Sequence, residues 1–513
     1  MRALATHRAT LLHRLRLGGI ILLILFGGAL LVLAVKWPFT REETTRYMEQ
    51  ISSSEVQMAN FERLYFPQPG YIAQNVTISR EPKPGAPPLV RIGKITCQTT
   101  WPALLTFTHR ISRIDLENVQ VYIPDHVPPP VRKHGEGKIK ITVTELFANG
   151  TVLEVAPKHK GGKTTRFEFP ELAVGNAARN KAMSFRTLLR NPNPPGDLRV
   201  SGSVGPLRLG KIGDTPISGT FQFRNADLSV YKIIAGTPSA DGRFLGTVGR
   251  AQIIGRTEIP NFEVTRSGHS LGVTAEFHAV ANGTKGDVSI PSVRAHFLET
   301  TVIAQGSIGG EPGKTVSLDL DSPDGRVQDL LRLFVKTDVP PLAGPLTLHA
   351  HVELPPTHRP FIRRVQLDGN FMISDADFTK STTQEKVDEL SARARGNKVK
   401  TKSRNLPAQV SEDLRGDVRL REGTAQVSGA VFAMPGAVAR GSGTYDVVTE
   451  AIDLRGELAM RATLSKAAGG LKSILLKPLD PWFKKDGAGA VLPVRISGTY
   501  SHPVFHVSLF RRK

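Results

Sequence analysis

The chain has 513 residues, 40% hydrophobic and 22% charged, enough for several ordinary domains or one long repetitive one. A single cysteine, Cys97, excludes an intramolecular disulfide framework and favours a bacterial envelope protein over a secreted eukaryotic ectodomain. The net charge of +21 and pI near 10.1 invite a nucleic-acid reading. Against it, the basic runs (Arg132 to Lys140, Lys158 to Lys163, Arg393 to Arg404) carry no aromatics interleaved for base stacking, so no nucleic-acid partner is expected. Solvated loops, or contacts with anionic headgroups, suit these runs better.

Leu17–Val35, LGGIILLILFGGALLVLAV, is nineteen residues without a charge. At about 1.5 Å per residue this run is long enough to cross a bilayer core of about 30 Å as a helix. Leu17, Ile20, Leu23, Phe26, Leu30 and Val35 would face lipid, and Trp37 supplies an interfacial aromatic. A signal peptide is the rival, since Arg2, Arg8, Arg14 and Arg16 form a basic n-region. The run exceeds the usual apolar length of about 7–15 residues, and no A-x-A-like site closes it. The positive-inside bias places residues 1–16 in the cytosol and the body beyond the membrane.

Behind the span, Thr40-Arg-Glu-Glu43 reads as a capping box opening a helix to about Ser52. Ser54–Phe66, Gly70–Ile78 and Leu89–Thr96 read as strands, with a parity break after Gly93. Thr100 caps a short helix, Trp101–Leu105, with Pro102 at a tolerated first-turn position. Ile111–Ile123 returns to period two, and its change of parity at Glu117-Asn118 marks a turn or bulge. From Ile139 to about Phe378, strand follows strand: Asp197–Leu207, Ile217–Phe223, Val264–Val280, Val293–Ile308 and Leu346–Leu354. Short helices are expected near Leu228–Ala235, at Pro323–Phe334 with Ser322 as cap, and at Gln384–Arg395. In Leu346–Leu354 the even positions are apolar, while Thr347, His349, His351 and Glu353 share the other face.

A basic linker, residues 396–407, leads into a C-terminal part whose same-face apolars are Val418, Leu420, Val427, Val431, Ile452, Leu454, Leu458, Leu492, Val494 and Ile496. Between them Ser465–Phe483 forms an apolar helix candidate: Leu471, Ile474 and Leu475 lie on one side, with Lys472 and Lys477 around it. Such a helix suits a membrane interface, or else plugs the end of the β core. The fold class is therefore mostly β: an N-terminal transmembrane helix, then a long antiparallel sheet with a few short helices. An open sheet of so many strands is expected to curl into a groove with an apolar face. Several sandwiches with dry cores would explain the alternation equally well.

Chemistry-bearing motifs are weak. His349-Ala-His351 has ligand-like spacing, but no third ligand is tied to it locally, so no metal site is assigned. There is no Walker sequence, no nucleophile elbow and no G-x-G-x-x-G, so neither catalytic residues nor a cofactor are expected.

The segments PFTREETTRYMEQISSSEVQMANFERLYFPQPGYIAQNVTISR, KITCQTTWPALLTFTHRISRIDLENVQVYIP and FKKDGAGAVLPVRISGTYSHPVFHVSL resemble the AsmA-like family of bacterial inner-membrane proteins. Their shared features are the Phe66–Gly70 turn, an "nVtI" strand, a short Leu-Leu helix and the closing "lPvrIsGt" and "hPxF" strands. The resemblance implies an AsmA-like N-terminal region at 36–141, a central β-rich groove at 142–395 and an AsmA-like C-terminal region at 408–513. It also implies a single-pass inner-membrane protein with its body in the periplasm, similar to bridge-like lipid transfer proteins. Phospholipids and an outer-membrane or envelope protein would be its partners, and outer-membrane lipid homeostasis its role. A non-enzymatic envelope scaffold that binds a protein partner is the alternative.

Overall fold

The computed structural model describes residues 39–79, 87–106, 110–124, 142–156, 164–177, 181–208, 211–309, 315–356, 359–379, 385, 413–460, 490–499 and 503–507. The apolar run with Trp37, the basic linker and the Ser465–Phe483 segment lie outside these residues. No helix among the described residues is long and apolar enough to cross a membrane. The chain divides into two compact units, Met1–Ala178 and Arg179–Lys513.

The first unit opens with helix α1 (Arg41–Ser52). Thr40 Oγ1 accepts the Glu43 N–H at 3.3 Å, and Glu42 and Glu43 in the first turn complement the helix dipole. Ser53, in the left-handed region at φ 52°, ends it. Strands β1 (Glu55–Leu64), β2 (Gly70–Ser79) and β3 (Val90–Gln98) follow, then helix α2 (Trp101–Leu105), capped as expected by Thr100. Strands β4 (Arg110–Ile123), β5 (Thr142–Val155) and β6 (Thr165–Ala177) complete the sheet. Neighbours pair in chain order, antiparallel except for β4 and β5, which run parallel. The sheet is therefore mixed rather than wholly antiparallel. The 18-residue connection between Ile123 and Thr142 is the physical reason, since a parallel pair needs a crossover of about a dozen residues or more. The core comprises Val56, Met58, Tyr71, Ala73, Val76, Ile92, Ile95, Cys97 and Val119, with Phe39 and Met48 packed over it.

A crease crosses this sheet. Ladder pairing skips Asn75 between Gln74↔Lys94 and Val76↔Ile92, and skips Gly93 and Asn118 on the adjoining strands. It skips Gly150 and Pro170 farther along. Asn75, Asn118 and Gly150 all have positive φ (51°, 55° and 67°). An ideal Cβ on Gly93 would stand 3.1 Å from Cβ of Asn118. Across this line the inward parity changes: Tyr71 and Ala73 on one side give way to Val76 on the other.

The second unit contains β7 (Met183–Pro192), β8 (Pro195–Val204), β9 (Pro216–Arg224), the two-residue β10 (Ile234–Ala235), β11 (Ser239–Thr247) and β12 (Arg250–Val264). It continues with β13 (Ser270–Ala281), β14 (Val288–Phe297), β15 (Thr300–Ile308) and β16 (Val316–Arg326). Helix α3 (Val327–Phe334), β17 (Leu342–Ala343), β18 (Pro345–Leu354), helix α4 (Phe361–Arg364), β19 (Gln366–Ile373) and β20 (Asp377–Phe378) come next. The last six strands are β21 (Asp413–Arg421), β22 (Thr424–Met434), β23 (Ala437–Asp446), β24 (Ala451–Met460), β25 (Ala490–Thr499) and β26 (Pro503–Val507). From β7 to β26 the main ladder is an antiparallel meander. The short β17 and β20 pair separately.

Several expectations change here. The helix anticipated near Leu228–Ala235 is a single 3-10 turn, Ser229–Tyr231, followed by β10. The helix anticipated from Pro323 starts at Val327, because Ser322 is buried and donates to the Thr301 carbonyl while β16 bulges between Ser322 and Gly325. The runs Val264–Val280 and Val293–Ile308 each contain a turn, the second at Leu298 with φ 50°. In neither unit is the sheet strongly curled. Long open sheets curl, split or flatten, and cross-strand side-chain ladders of the kind described next favour flattening.

Candidate functional site

Register alone separates the second unit's sheet into two chemically opposite faces. One runs from Leu198 and Phe221 through Phe244, Ile253, Phe277, Val293, Leu320, Val352 and Phe371 to Val418, each step following the ladder or a strand's period of two. Val418 pairs with Val427, Leu454 with Ile496, Gly456 with Val494 and Leu458 with Leu492. Nine of the ten apolar candidates from the sequence therefore share this face: Val418, Leu420, Val427, Ile452, Leu454, Leu458, Leu492, Val494 and Ile496.

Val431 does not. Strand β22 carries one extra residue between Val427 and Ala430, where Gly429 adopts φ 58°, so Val431 stands opposite Arg415 and Arg440 on the other face. A bulge with glycine in the left-handed region sets two residues against one and reverses the parity beyond it. The signal was present in Ala430, Phe432 and Met434, whose spacing is out of phase with Val427.

Among the described residues, coverage of the apolar face is sparse. Leu458 and Leu492 are 5% and 8% exposed, but Val418, Leu420, Val427, Ile452, Leu454, Val494 and Ile496 are only half-buried, as are Phe221, Phe244, Phe277 and Phe371. A second layer packed at protein density would bury them as the first unit's core is buried. Helix α3 supplies local cover. Its Val327 packs with Leu346 and Ile373, and its Leu333 with Leu271 and Phe297, giving the face a wall along one margin. Asp329 fixes that helix by accepting from the Glu299 N–H at 3.0 Å and the Thr300 hydroxyl at 2.8 Å. Rings also lie over glycines on neighbouring strands: a Cβ on Gly242 would meet Phe221 at 2.6 Å, and one on Gly255 would meet Phe277 at 2.7 Å.

Charge pairs across and along the strands occupy the opposite face. Arg419 bonds Asp368 at 2.8 Å and Arg421 bonds its second oxygen, and Arg495 and Arg455 grip Asp453 at 2.9 and 3.0 Å. These arginines hold both carboxyls below the usual carboxylate range. Such exposed pairs add little stability but keep this face wet.

His349 and His351 lie on this polar face, beside a depression of about 640 Å³ that Asp319, Asp321 and Asp368 also line. His349 Nδ1 is 2.8 Å from Asp321 Oδ1, without the alignment of a hydrogen bond. His351 Nδ1 sits 2.6 Å from Asp319, which raises its pKa, and its Nε2 is 3.5 Å from both Ser317 Oγ and Glu353. Ser317, His351 and Asp319 thus align like a hydrolase triad, a juxtaposition across strands that the sequence did not disclose. Chemically it is incomplete. The backbone amides beside Ser317 belong to an interior strand and are spent on the ladder, so they are not free to act as oxyanion donors. Among the described residues no three His, Cys, Asp or Glu side chains converge as a metal site requires. The anchor candidates Leu17, Ile20, Leu23, Phe26, Leu30, Val35 and Trp37, and the interfacial-helix candidates Leu471, Lys472, Ile474, Leu475 and Lys477, lie outside the described residues.

No protein-family model matches the chain, and no curated protein matches it.

Proposed function

We propose that this is a membrane-anchored, non-enzymatic lipid-binding protein that carries acyl chains along the apolar face of its second unit. The observation that carries this reading is the half-burial of that face from β8 to β25. At about 4.8 Å per strand the apolar strip extends on the order of 70 Å. Each acyl CH₂ withdrawn from water contributes about 0.8 kcal/mol, so a continuous strip holds chains without any specific residue. The uncharged Leu17–Val35 run supports membrane attachment, and the resemblance of the chain's ends to the AsmA-like family supports an inner-membrane protein with a periplasmic body and a role in outer-membrane lipid homeostasis. Sandwiches with dry cores fit less well, because their inward residues would be buried throughout.

Strand β22 contains its own control. A photo-crosslinking residue at Val427 faces the strip, whereas one at Val431, four positions on, faces the charged side. Irradiated in cells, Val427 is expected to yield lipid adducts and Val431 none. Equal capture at both positions, or protein adducts alone at Val427, would replace this reading with the scaffold one.

A further inference from the structure

The first unit carries an apolar cluster that its own core does not use. At the β1–β2 connection Phe66 is 86% exposed and Tyr65 51%, and on helix α2 Leu105 is 58% exposed. These side chains belong to one end of the sheet. Trp101 Nε1 donates to the Pro67 carbonyl at 3.2 Å, and the Thr99 N–H donates to Pro69 at 2.8 Å, tying α2 to the hairpin tip. Arg63 and Arg110 stand exposed beside this tip, at the end of β1 and the start of β4.

Chain geometry says what lies against it. Phe39 packs on Tyr71, ring centroids 5.9 Å apart, and Tyr71 pairs with Arg63 one step from the hairpin end. The uncharged run ends at Val35, four residues before Phe39, a reach of at most about 14 Å. A bilayer entered by that run therefore begins within one short tether of the tip. Exposed Phe and Tyr beside a half-buried Trp, flanked by Arg, are the residues that settle at headgroup level, with rings among the upper acyl carbons and guanidinium groups on phosphates.

We propose that the Tyr65–Phe66 tip and the Trp101–Leu105 helix dock into the bilayer interface as a second, non-spanning membrane contact. This contact holds the first unit against the surface from which it emerges. It rests on the reading of Leu17–Val35 as a membrane anchor.

The test uses the full chain reconstituted in vesicles of phosphatidylethanolamine and phosphatidylglycerol, with an environment-sensitive fluorophore on Phe66→Cys or, separately, Ile51→Cys. Ile51 is an equally apolar control, 65% exposed near the C-terminal end of α1 and the opposite end of β1. Cys97 is buried in the core and stays unlabelled. The label at Phe66 is expected to shift to the blue and to lose most of its fluorescence to bromolipid, while the label at Ile51 responds to aqueous iodide alone. A chain that floats with the vesicles but leaves position 66 open to iodide overturns the docking and spares the anchor. Failure to float overturns both.

Discussion

Cys97 shows how burial at one residue becomes a property of the fold. It sits in the first unit's core against Tyr71, and burial pushes its thiol up to about 12 from an ordinary value of 9.0. Burial likewise raises Tyr71, so both groups stay neutral in the folded chain. Once unfolded, the thiol ionises near its ordinary value, and the unfolded state then binds fewer protons than the native one. Stability is therefore fully present below about pH 9 and falls as pH rises toward 12, by about 1.4 kcal/mol per pH unit for the thiol alone. Urea unfolding followed at Trp101 is expected to show that slope, and Cys97→Ala to make it shallower. Sequence reasoning reached part of the crease at this scale: the parity breaks at Gly93 and Asn118 were legible, because apolar residues fall out of phase there. Asn75, Gly150 and Pro170 were not, since alignment across strands depends on register, which no single strand encodes.

Among the elements, individual strands were the most legible, because alternation of apolar and polar residues is a property of each run by itself. Bulges and turns inside long runs were not, and the cost fell on Val431 and on the start of α3. A one-residue insertion swaps the faces of everything beyond it, and in β22 only the change of phase at Ala430, Phe432 and Met434 marks it within the strand. Glycine on the apolar face can be tested at the same scale. A Cβ at Gly242 would meet the Ile254 carbonyl oxygen at 2.5 Å as well as the Phe221 ring at 2.6 Å. Gly242→Val is expected to lower stability by about 1–3 kcal/mol, measured by thermal unfolding. Adding Phe221→Ala should recover only part of the loss, because the backbone contact remains.

At the scale of the whole chain, mostly-β class and the scarcity of helix followed from composition and punctuation, whereas the absence of strong curl did not. Curl depends on how twist accumulates over many ladders, and no local pattern states that sum. The apolar strip was half legible: nine of the ten apolar candidates share one face and Val431 does not, and no local pattern says what covers them. Its exposure has a consequence for handling. Monomeric proteins rarely show water a contiguous apolar patch beyond a few hundred Å². A plate charged on one side and oily on the other is a surfactant of molecular size, and two emptied plates would hide their oil against each other. On the proposed lipid-binding reading, stripping lipid from the purified chain is expected to turn a monodisperse species into dimers and larger assemblies by light scattering, and Leu454→Asp to suppress that change. Colloidal state would then report occupancy: a laden carrier would disperse, and a bare one would become an adhesive.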